Sequence, residues 1–454
     1  MGFSKIDLKS RLKKGLMASS FGFSVNLLTQ LSTVPALLFF WGAELYGEWL
    51  ILSAIPAYIS FSNMGFSDAM STEMTIQSGD RNYERAQSIF ESAWKVVTLM
   101  SIFAASVIVL GVLSNPSVGS VFGVSILANS DVVLIVALFS LYILLGIQFS
   151  IIGGGYRCVG HYPAHTLIVS LSKLIELLAG LLTISLGYGP VALVACYVTV
   201  RLFFLIFMVF NVRRFNKWIA ISLSRIDFRS IRVIIKPSLS SAGYVFGNSV
   251  VNQGVVLSIG YFLGAGAVAS YFVMRSLARI LLKFAGILNS NYMPEMSAAF
   301  GAKDIDLFRG LNRQLSRYTL WMVIAAVFFL GIFGESVLSL WTFDKVNIES
   351  FIFYFVILEA ATYFLGYTGS VPIVAINKHS TFVIIYTVFA VLSLGVSWVF
   401  LPLLGLLAIP LLFSVGNVMV GIFVLTSVMK ISDDKLYSYI SHCFFLRRKL
   451  SKIT

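Results

Sequence analysis

Residues 380–428 read STFVIIYTVFAVLSLGVSWVFLPLLGLLAIPLLFSVGNVMVGIFVLTSV, and none of these side chains is charged. The hydrocarbon core of a bilayer is about 30 Å thick, so a helix needs about 20 apolar residues to cross it. This stretch is therefore long enough to cross a membrane twice. We predict two adjacent membrane spans, 380–400 and 404–428.

The rest of the chain repeats this pattern. Of its 454 residues, 58% are hydrophobic and 12% are charged, and that charged fraction is about half of the quarter found in soluble domains. A soluble protein is excluded, and we predict an all-α polytopic membrane protein with 12 transmembrane helices. The other ten predicted spans are 15–40, 46–66, 90–113, 131–152, 163–186, 189–210, 238–262, 266–290, 317–334 and 350–373.

The basic residues predict how these spans are oriented. The chain has 33 Lys and Arg residues against 20 Asp and Glu residues. If the N-terminus lies inside, most of the basic residues fall in inner segments, whereas the outer loops contain only Lys345. Lys and Arg accumulate in cytoplasmic loops, so both termini are predicted to be cytoplasmic. Since orientation accounts for the positive charge, no nucleic-acid partner is predicted.

The longest inner connector divides the chain near its middle. Residues 215–237 contain amphipathic stretches suited to the membrane surface, and they separate two sets of six spans. The predicted parts are an N-terminal six-helix lobe (1–214), a cytoplasmic amphipathic connector (215–237), a C-terminal six-helix lobe (238–428) and a basic cytoplasmic tail (429–454).

Weak internal similarity indicates that the two lobes are copies. Residues 73–79 recur as 295–301, because both segments contain Glu-Met, four further residues and Gly. Copies separated by six spans keep the same orientation, so the pseudo-symmetry axis would run along the membrane normal. Two such lobes are suited to alternating-access transport. Further echoes are Gln30 with Gln253, Tyr46 with Tyr271, and His161 with His379.

The segment 31–69 resembles the opening of the polysaccharide transporter family, the Wzx-type O-antigen flippases. That family belongs to the multidrug/oligosaccharidyl-lipid/polysaccharide exporter superfamily, abbreviated MOP. The features shared with it are Pro35 in the first span, the Tyr46-Gly47-Glu48-Trp49 turn, Gly65 ending the second span, Gly79-Asp80, and Gly264-Ala265-Gly266.

The resemblance implies a cargo, a location and partners. The cargo would be an undecaprenyl-diphosphate-linked oligosaccharide, such as an O-antigen unit for lipopolysaccharide, flipped from the cytoplasmic to the periplasmic leaflet. The protein would lie in the bacterial inner membrane and act in polysaccharide biosynthesis, with polysaccharide assembly proteins as further partners. The resemblance implies neither a cofactor nor a catalytic residue.

Three cations on the eighth span are the main candidates for contacting such a cargo. A charged side chain at mid-bilayer costs roughly 2.5–3.5 kcal/mol, so it needs a partner, a hydrated cavity or a function. Arg275, Arg279 and Lys283 are each four residues apart and share one helix face. Guanidinium groups match phosphate oxygens in bidentate geometry. Alternatively, Lys283 snorkels inward and Arg275 reaches the outer headgroups.

Other charges in the spans are also candidates. Arg201 in the sixth span either contacts cargo or pairs with Glu176 or Glu359. Lys173 and Glu176 share a face of the fifth span, either as a cargo site or as a self-neutralised pair. Glu176 and Glu359 are candidates for coupling flipping to a proton or sodium gradient, and Glu359 alternatively satisfies an arginine.

Amides in the first and seventh spans form a further group of candidates. Asn26 and Asn252 could bind sugar hydroxyls, although interhelical hydrogen bonding is the commoner use of amides in membranes. No metal site is predicted, because the histidines lie at helix ends without a third ligand and the three cysteines follow no metal spacing. The other amides in this group are Gln30, Asn248 and Gln253, and the histidines at helix ends are His161 and His379, two of the four in the chain.

Two alternatives to a flippase remain open. An ion-coupled drug or metabolite exporter of the same superfamily would be favoured by an acidic, apolar site. A membrane polysaccharide polymerase or glycosyltransferase is disfavoured, because the chain has no large outer loop, no Asp-x-Asp motif and no suitably spaced carboxylate pair. ATP hydrolysis is also disfavoured, since Gly153-Gly154-Gly155 lacks the Lys-Ser/Thr of a phosphate loop.

Overall fold

A computed structural model describes residues 5–63, 65–115, 118–215, 219, 227–376 and 378–444. The side chains of residues 5–13, 118, 120, 215, 236–237, 239–242, 244, 281–287 and 290 lie outside the described part. Throughout the described ranges every regular element is a helix. In chain order the α-helices are α1 (Lys5–Ala57), α2 (Phe66–Gly79), α3 (Tyr83–Ser114), α4 (Val118–Val121), α5 (Asn129–Arg157), α6 (Tyr162–Ser185), α7 (Pro190–Phe215), α8 (Phe228–Ser249), α9 (Val255–Leu263), α10 (Ala265–Gly301), α11 (Ile305–Thr342), α12 (Ser350–Gly369), α13 (Val371–Ala375), α14 (Ser380–Leu404), α15 (Ala408–Ser432) and α16 (Leu436–Phe444).

Within the described residues, each of the twelve predicted spans falls mainly on helix. Eight described segments are long and apolar enough to cross a membrane. Two of these, Lys14–Gly79 and Ser380–Ser432, are 66 and 53 residues long and each contain two predicted spans. The remaining predicted spans, 238–262 and 266–290, lie on α8–α9 and on α10. A helix satisfies its own backbone hydrogen bonds, which is why apolar runs in a bilayer adopt this conformation. The chain is therefore a multi-pass, all-α membrane protein.

The helices group into two compact units. One unit contains Met1–Ser249 and Val256–Val268, and the other contains Val250–Val255 and Ala269–Thr454. Residues 216–218 and 220–226 of the connector predicted at 215–237 lie outside the described residues. The predicted lobe boundaries therefore stay a prediction.

Backbone conformations repeat between the two halves of the chain. Gly42 and Gly264 have φ of 76° and 81°, and each lies where the first span of its half ends. Arg81 and Lys303 both have φ of 60° in the turn before the third span. In both halves the residue that follows this turn caps the next helix through its side chain. A left-handed conformation is uncommon for residues other than glycine, so its recurrence at the same spacing supports the internal repeat and the pseudo-symmetry.

The segment Tyr46–Trp49, predicted to be a turn, is instead helical within α1, and the backbone break lies at Gly42 (φ 76°, ψ 176°). This helical segment contains a close helix contact. Tyr46 and Trp49 are 2% and 7% exposed, and Gly47 lies against the start of α10. A Cβ atom on Gly47 would lie 1.9 Å from the carbonyl oxygen of Ala265. Because this contact is between backbones, no larger residue fits at position 47 without moving a helix.

Glu48 anchors the segment between α4 and α5. Its side chain is fully buried, and its carboxylate accepts the backbone N–H groups of Ser125 and Ile126 at 2.6 Å and of Leu127 at 3.0 Å. Three backbone donors compensate for burying the charge. The motif residue Glu48 is therefore structural.

We expect Glu48→Ala to lower the free energy of unfolding by about 2 kcal/mol, because three backbone N–H groups lose a charged acceptor. Glu48→Gln keeps one acceptor oxygen, so its free energy of unfolding should fall by about half as much. Thermal denaturation in detergent measures both effects. An alanine variant that melts at the wild-type temperature would contradict this anchoring role.

Asp227 joins the start of α8 to α3. Its carboxylate accepts hydrogen bonds from the Ser230 hydroxyl at 2.7 Å, from Arg85 Nη1 at 2.9 Å and from the Ser88 hydroxyl at 3.0 Å. The backbone N–H of Arg229 also donates to this carboxylate, at 2.9 Å. These donors, first among them Ser230, lower the pKa of Asp227 from 3.8 to about 2.

This lowered pKa predicts a pH effect with a definite sign. A carboxylate whose pKa falls on folding stabilises the fold above its unfolded pKa, and this contribution disappears as the pH falls through the folded pKa. Wild type should therefore melt at a higher temperature than Asp227→Asn above pH 4, and the difference should shrink towards pH 2. Melting curves of both proteins across this range provide the measurement. A difference in melting temperature that does not change with pH would show that the carboxylate charge of Asp227 does not contribute to stability.

Candidate functional site

The first unit contains a buried ion pair, here called the Arg201 cluster, formed by Tyr142, Glu176 and Arg201. Arg201 Nε and Nη2 donate to the two carboxylate oxygens of Glu176 at 3.0 and 3.2 Å. The Tyr142 hydroxyl donates to Glu176 Oε2 at 2.9 Å, and Arg201 Nη2 also contacts this hydroxyl. The side chains of Arg201 and Glu176 are 14% and 8% exposed. Of the two partners considered for Arg201, Glu176 is therefore the one observed.

Lys173 lies near this cluster with a different partner. Its Nζ atom donates to Asn26 Oδ1 at 3.0 Å, and the Asn26 amide donates to the Gly22 carbonyl at 2.8 Å. The self-neutralised pair of Lys173 with Glu176 is not formed, because Arg201 occupies that carboxylate. The structure thus places Asn26 of α1 beside the Lys173 cation of α6.

The second unit contains a larger group, here called the Arg279 cluster, formed by Tyr271, Arg275, Arg279 and Glu359. Arg279 Nη2 donates to Glu359 Oε1 at 3.2 Å, and Arg275 Nε lies 3.8 Å from the same oxygen. The Tyr271 hydroxyl donates to Glu359 Oε2 at 2.9 Å. Two guanidinium groups from α10 therefore share one carboxylate of α12. Arg275 is buried in this contact and does not reach outward to headgroups.

A π-helical turn, Val250–Gly254, completes the Arg279 cluster. Arg275 Nη2 donates to the Val251 carbonyl at 3.1 Å, and Arg279 Nη1 donates to Asn252 Oδ1 at 3.1 Å. A π-turn disturbs the regular helical hydrogen bonding and is frequent at functional sites. This turn accounts for the Val251 carbonyl accepting a hydrogen bond from Arg275, a contact that the sequence pattern did not predict.

The Arg279 cluster is incompletely neutralised. With Arg275 and Arg279 charged and Glu359 ionised, it has a formal charge of +1. The Nε atoms of both arginines are buried without a hydrogen-bond acceptor. The Arg279 side chain is 23% exposed, whereas that of Glu359 is 2% exposed. Such a group is chemically suited to receive an anionic oxygen at Arg279.

The structure brings most of the candidate residues into two groups. Asn252 joins Arg275, Arg279 and Glu359 in the second unit, and Asn26, Lys173, Glu176 and Arg201 lie together in the first. Lys283 lies on α10, but its side chain is outside the described part. Tyr142 and Tyr271 were not predicted to be site residues, since a tyrosine in an apolar span has no distinctive spacing. Contact of any of these residues with a cargo stays a prediction, as do the roles of Gln30, Asn248, Gln253, His161 and His379.

Comparison of the sequence with family models and with curated proteins gives no match. Solved structures do match. An inward-facing multidrug resistance MATE family transporter of the MOP superfamily has a TM-score of 0.73 at 15% identity, over 90% of this chain and 94% of that chain. The lipid II flippase MurJ in an inward closed conformation has a TM-score of 0.71 at 13% identity, over 94% and 90% of the two chains.

A third match is a MOP superfamily transporter from Pyrococcus furiosus, described as having a binding pocket of reverse polarity. Its TM-score is 0.55 at 16% identity, over 94% of this chain and 97% of that chain. At such identities the likeness concerns the fold, and it extends over nearly the whole of each chain. The predicted fold class, twelve transmembrane helices in two pseudo-symmetric six-helix lobes, is confirmed, and it is the fold of MOP superfamily transporters.

Proposed function

We propose that this protein is a flippase that moves an undecaprenyl-diphosphate-linked oligosaccharide across the membrane by alternating access. The observation that carries the proposal is the Arg279 cluster, in which two arginines share one carboxylate and one of them is partly exposed. A diphosphate is an anion whose oxygens match a guanidinium fork. The cargo's sugars and phosphates cannot enter hydrocarbon unaided, because each lost hydrogen bond costs several kcal/mol.

Glu359 offers a route to energy coupling. In the structure its Oε1 atom accepts a hydrogen bond from Arg279 Nη2 at 3.2 Å. If a diphosphate takes Arg279, the carboxylate loses part of its compensating charge and gains affinity for a proton or a sodium ion. Cargo binding and ion binding would then favour each other through one arginine. Glu176, which is held by Arg201, is the corresponding candidate in the first unit.

The second candidate function is a drug or metabolite exporter, favoured by the fold likeness to a multidrug resistance transporter. A cationic drug requires an available carboxylate, but Glu176 and Glu359 are both held by arginines. The excess positive charge of the Arg279 cluster therefore favours an anionic cargo. Both candidates are transporters, and neither requires an enzymatic centre.

Deletion of the gene tests the function directly. A flippase deletion should trap completed lipid-linked repeat units on the cytoplasmic leaflet, detectable by extraction and by their inaccessibility to periplasmic glycosidases. Loss of a polymerase would instead leave unpolymerised units outside, and loss of a glycosyltransferase would leave incomplete ones. A deletion strain with normal surface glycan and increased sensitivity to cationic drugs would favour the exporter.

The proposed setting follows from this function and from the distribution of basic residues. We infer that the protein lies in the bacterial inner membrane with both termini in the cytoplasm. Its partners would be the bilayer, the lipid-linked glycan and proteins of polysaccharide assembly.

A further inference from the structure

The second unit contains a cavity of about 350 Å³ among α11, α12, α15 and α16. This volume falls in the range of about 300–1,000 Å³ that is typical of small-molecule sites. Helices α12 and α15 pass each other beside it at Gly366 and Gly421, where a Cβ on Gly366 would lie 3.9 Å from the Gly421 Cα, an ordinary van der Waals contact. The cavity lies at the bundle end where α11 begins and α12 and α15 end, which the sequence predicts to be cytoplasmic.

Three polar side chains in the cavity wall lack a hydrogen-bond partner. The unpaired atoms are Nδ2 of Asn312 and the hydroxyls of Thr319 and Thr368. Each of these residues is at most 2% exposed. Helical threonines elsewhere, such as Thr342, donate to the carbonyl one turn earlier. Buried polar groups are normally paired, so three unpaired groups around one cavity indicate a ligand with hydrogen-bond acceptors.

The other polar side chains of the cavity wall are hydrogen-bonded within the protein, namely Ser316, Thr362, Asn417 and Tyr439. The remaining wall is apolar, which limits the kind of ligand. Among the described residues no charged side chain lines it, so a phosphate would find no counter-charge inside. Apolar side chains at its edge, Leu365, Val418 and Ile422, are 40%, 46% and 53% exposed. Exposed apolar side chains within membrane spans allow a hydrocarbon chain to enter from the side.

Helix α16 covers the cavity and is held against α11. Tyr439 and Cys443 of α16 line the cavity, and burial raises the pKa of Tyr439 to about 12 and that of Cys443 to about 11. Arg313 of α11 donates through Nε to Asp434 at 2.8 Å and through Nη2 to the Ser438 hydroxyl at 2.9 Å. These contacts hold α16 in place. Because Cys443 lines the cavity, its accessibility to a thiol reagent reports whether the cavity is filled.

We infer that this cavity is a binding site for one acyl chain of a glycerophospholipid, closed by α16. The chain occupies the apolar space, and the two ester carbonyls of the lipid accept hydrogen bonds from Asn312, Thr319 and Thr368. Asn312 and Thr319 lie about 10 Å apart along α11, so they bind different esters. The carbonyl oxygens of an ester suit neutral donors. A polyprenyl chain has no oxygen below its phosphate and would leave these donors unpaired, which distinguishes this ligand from the tail of the proposed cargo. The inference does not depend on the proposed function.

Purified full-length protein, stripped of lipid in detergent, allows a direct test. Its melting temperature is measured with a diester phosphatidylglycerol, with the diether analogue that lacks ester carbonyls, and with polyprenyl phosphate. In a Cys158→Ser, Cys196→Ser background, maleimide labelling of Cys443 is followed under the same conditions. The diester lipid should raise the melting temperature by several degrees and slow labelling by about fivefold or more, while the other two have smaller effects.

Two glycine variants form a matched pair. A Cβ at Gly421 or at Gly331 meets nothing within 4 Å, but only Gly421 lines the cavity. Gly421→Leu should abolish both lipid effects, and Gly331→Leu should keep them. Equal lipid effects in wild type and Gly421→Leu, or stronger protection by polyprenyl phosphate than by the diester lipid, would overturn the assignment.

Thr368→Val tests the ester contact separately. Without lipid this variant should melt above wild type, because it no longer buries an unpaired hydroxyl. With the diester lipid its gain in melting temperature should be smaller than that of wild type. An equal gain would contradict a hydrogen bond from Thr368 to the lipid.

Discussion

Arg279→Ala is expected to reduce flipping by about 100-fold, enough to remove surface glycan, while the protein still inserts and folds. The reduction corresponds to about 2.7 kcal/mol, which is within the range of about 1.5–3 kcal/mol for one charge-assisted hydrogen bond to a diphosphate. Folding should survive, because Arg275 remains beside Glu359 and preserves the charge balance. Surface glycan and membrane protein level are measured together at native expression.

Two further variants make this result specific. Arg279→Lys keeps the charge but cannot hold Asn252 and Glu359 with separate nitrogens as Arg279 does, so it should rescue only part of the activity. Arg232→Ala removes an exposed arginine of α8 and should leave surface glycan unchanged. Normal glycan in Arg279→Ala would contradict the proposed role of the cluster.

Glu359→Ala is expected to lower the free energy of unfolding by about 3–5 kcal/mol, because it leaves the buried guanidinium of Arg275 and the partly exposed one of Arg279 without a carboxylate. The Tyr271 hydroxyl also loses its acceptor. Melting temperature and the monodisperse yield in detergent measure the effect. A double variant, Glu359→Ala with Arg279→Ala, should lose less stability than the sum of the losses in the two single variants, since these residues are in contact.

Glu84→Ala is the matched control for this prediction. Glu84 is an exposed glutamate in the first turn of α3, and its removal should change stability by about 0.5 kcal/mol at most. If Glu359→Ala proved as stable as Glu84→Ala, the carboxylate would not be holding the two arginines in the folded protein.

The twelve spans could be predicted because the bilayer permits few solutions. An uncharged run of about 20 residues crosses it only as a helix with its backbone hydrogen bonds satisfied internally. The common helix face of Arg275 and Arg279 was predictable for a similar reason, since residues four apart are neighbours on any α-helix. Both side chains indeed reach the same carboxylate, Glu359.

The choice of partner was not predictable in the same way. Arg201 had two candidate carboxylates in the sequence, and only the packing of α6 against α7 selects Glu176. Lys173 shares a helix face with Glu176, yet it donates to Asn26 on another helix. An ion pair forms where distance and burial favour it, and both depend on how helices pack.

Local periodicity by itself determined the number of membrane spans and their approximate positions, because these depend on residues adjacent in the chain or one turn apart. It did not determine helix lengths, since α11 extends over Ile305–Thr342 where the predicted span is 317–334. Only the tertiary structure decided the π-turn at Val250–Gly254, the sharing of one carboxylate by two arginines, and the cavity walled by Asn312 and Thr368. Each of these depends on contacts between side chains or backbone groups far apart in the chain, and hydropathy contains no record of such contacts.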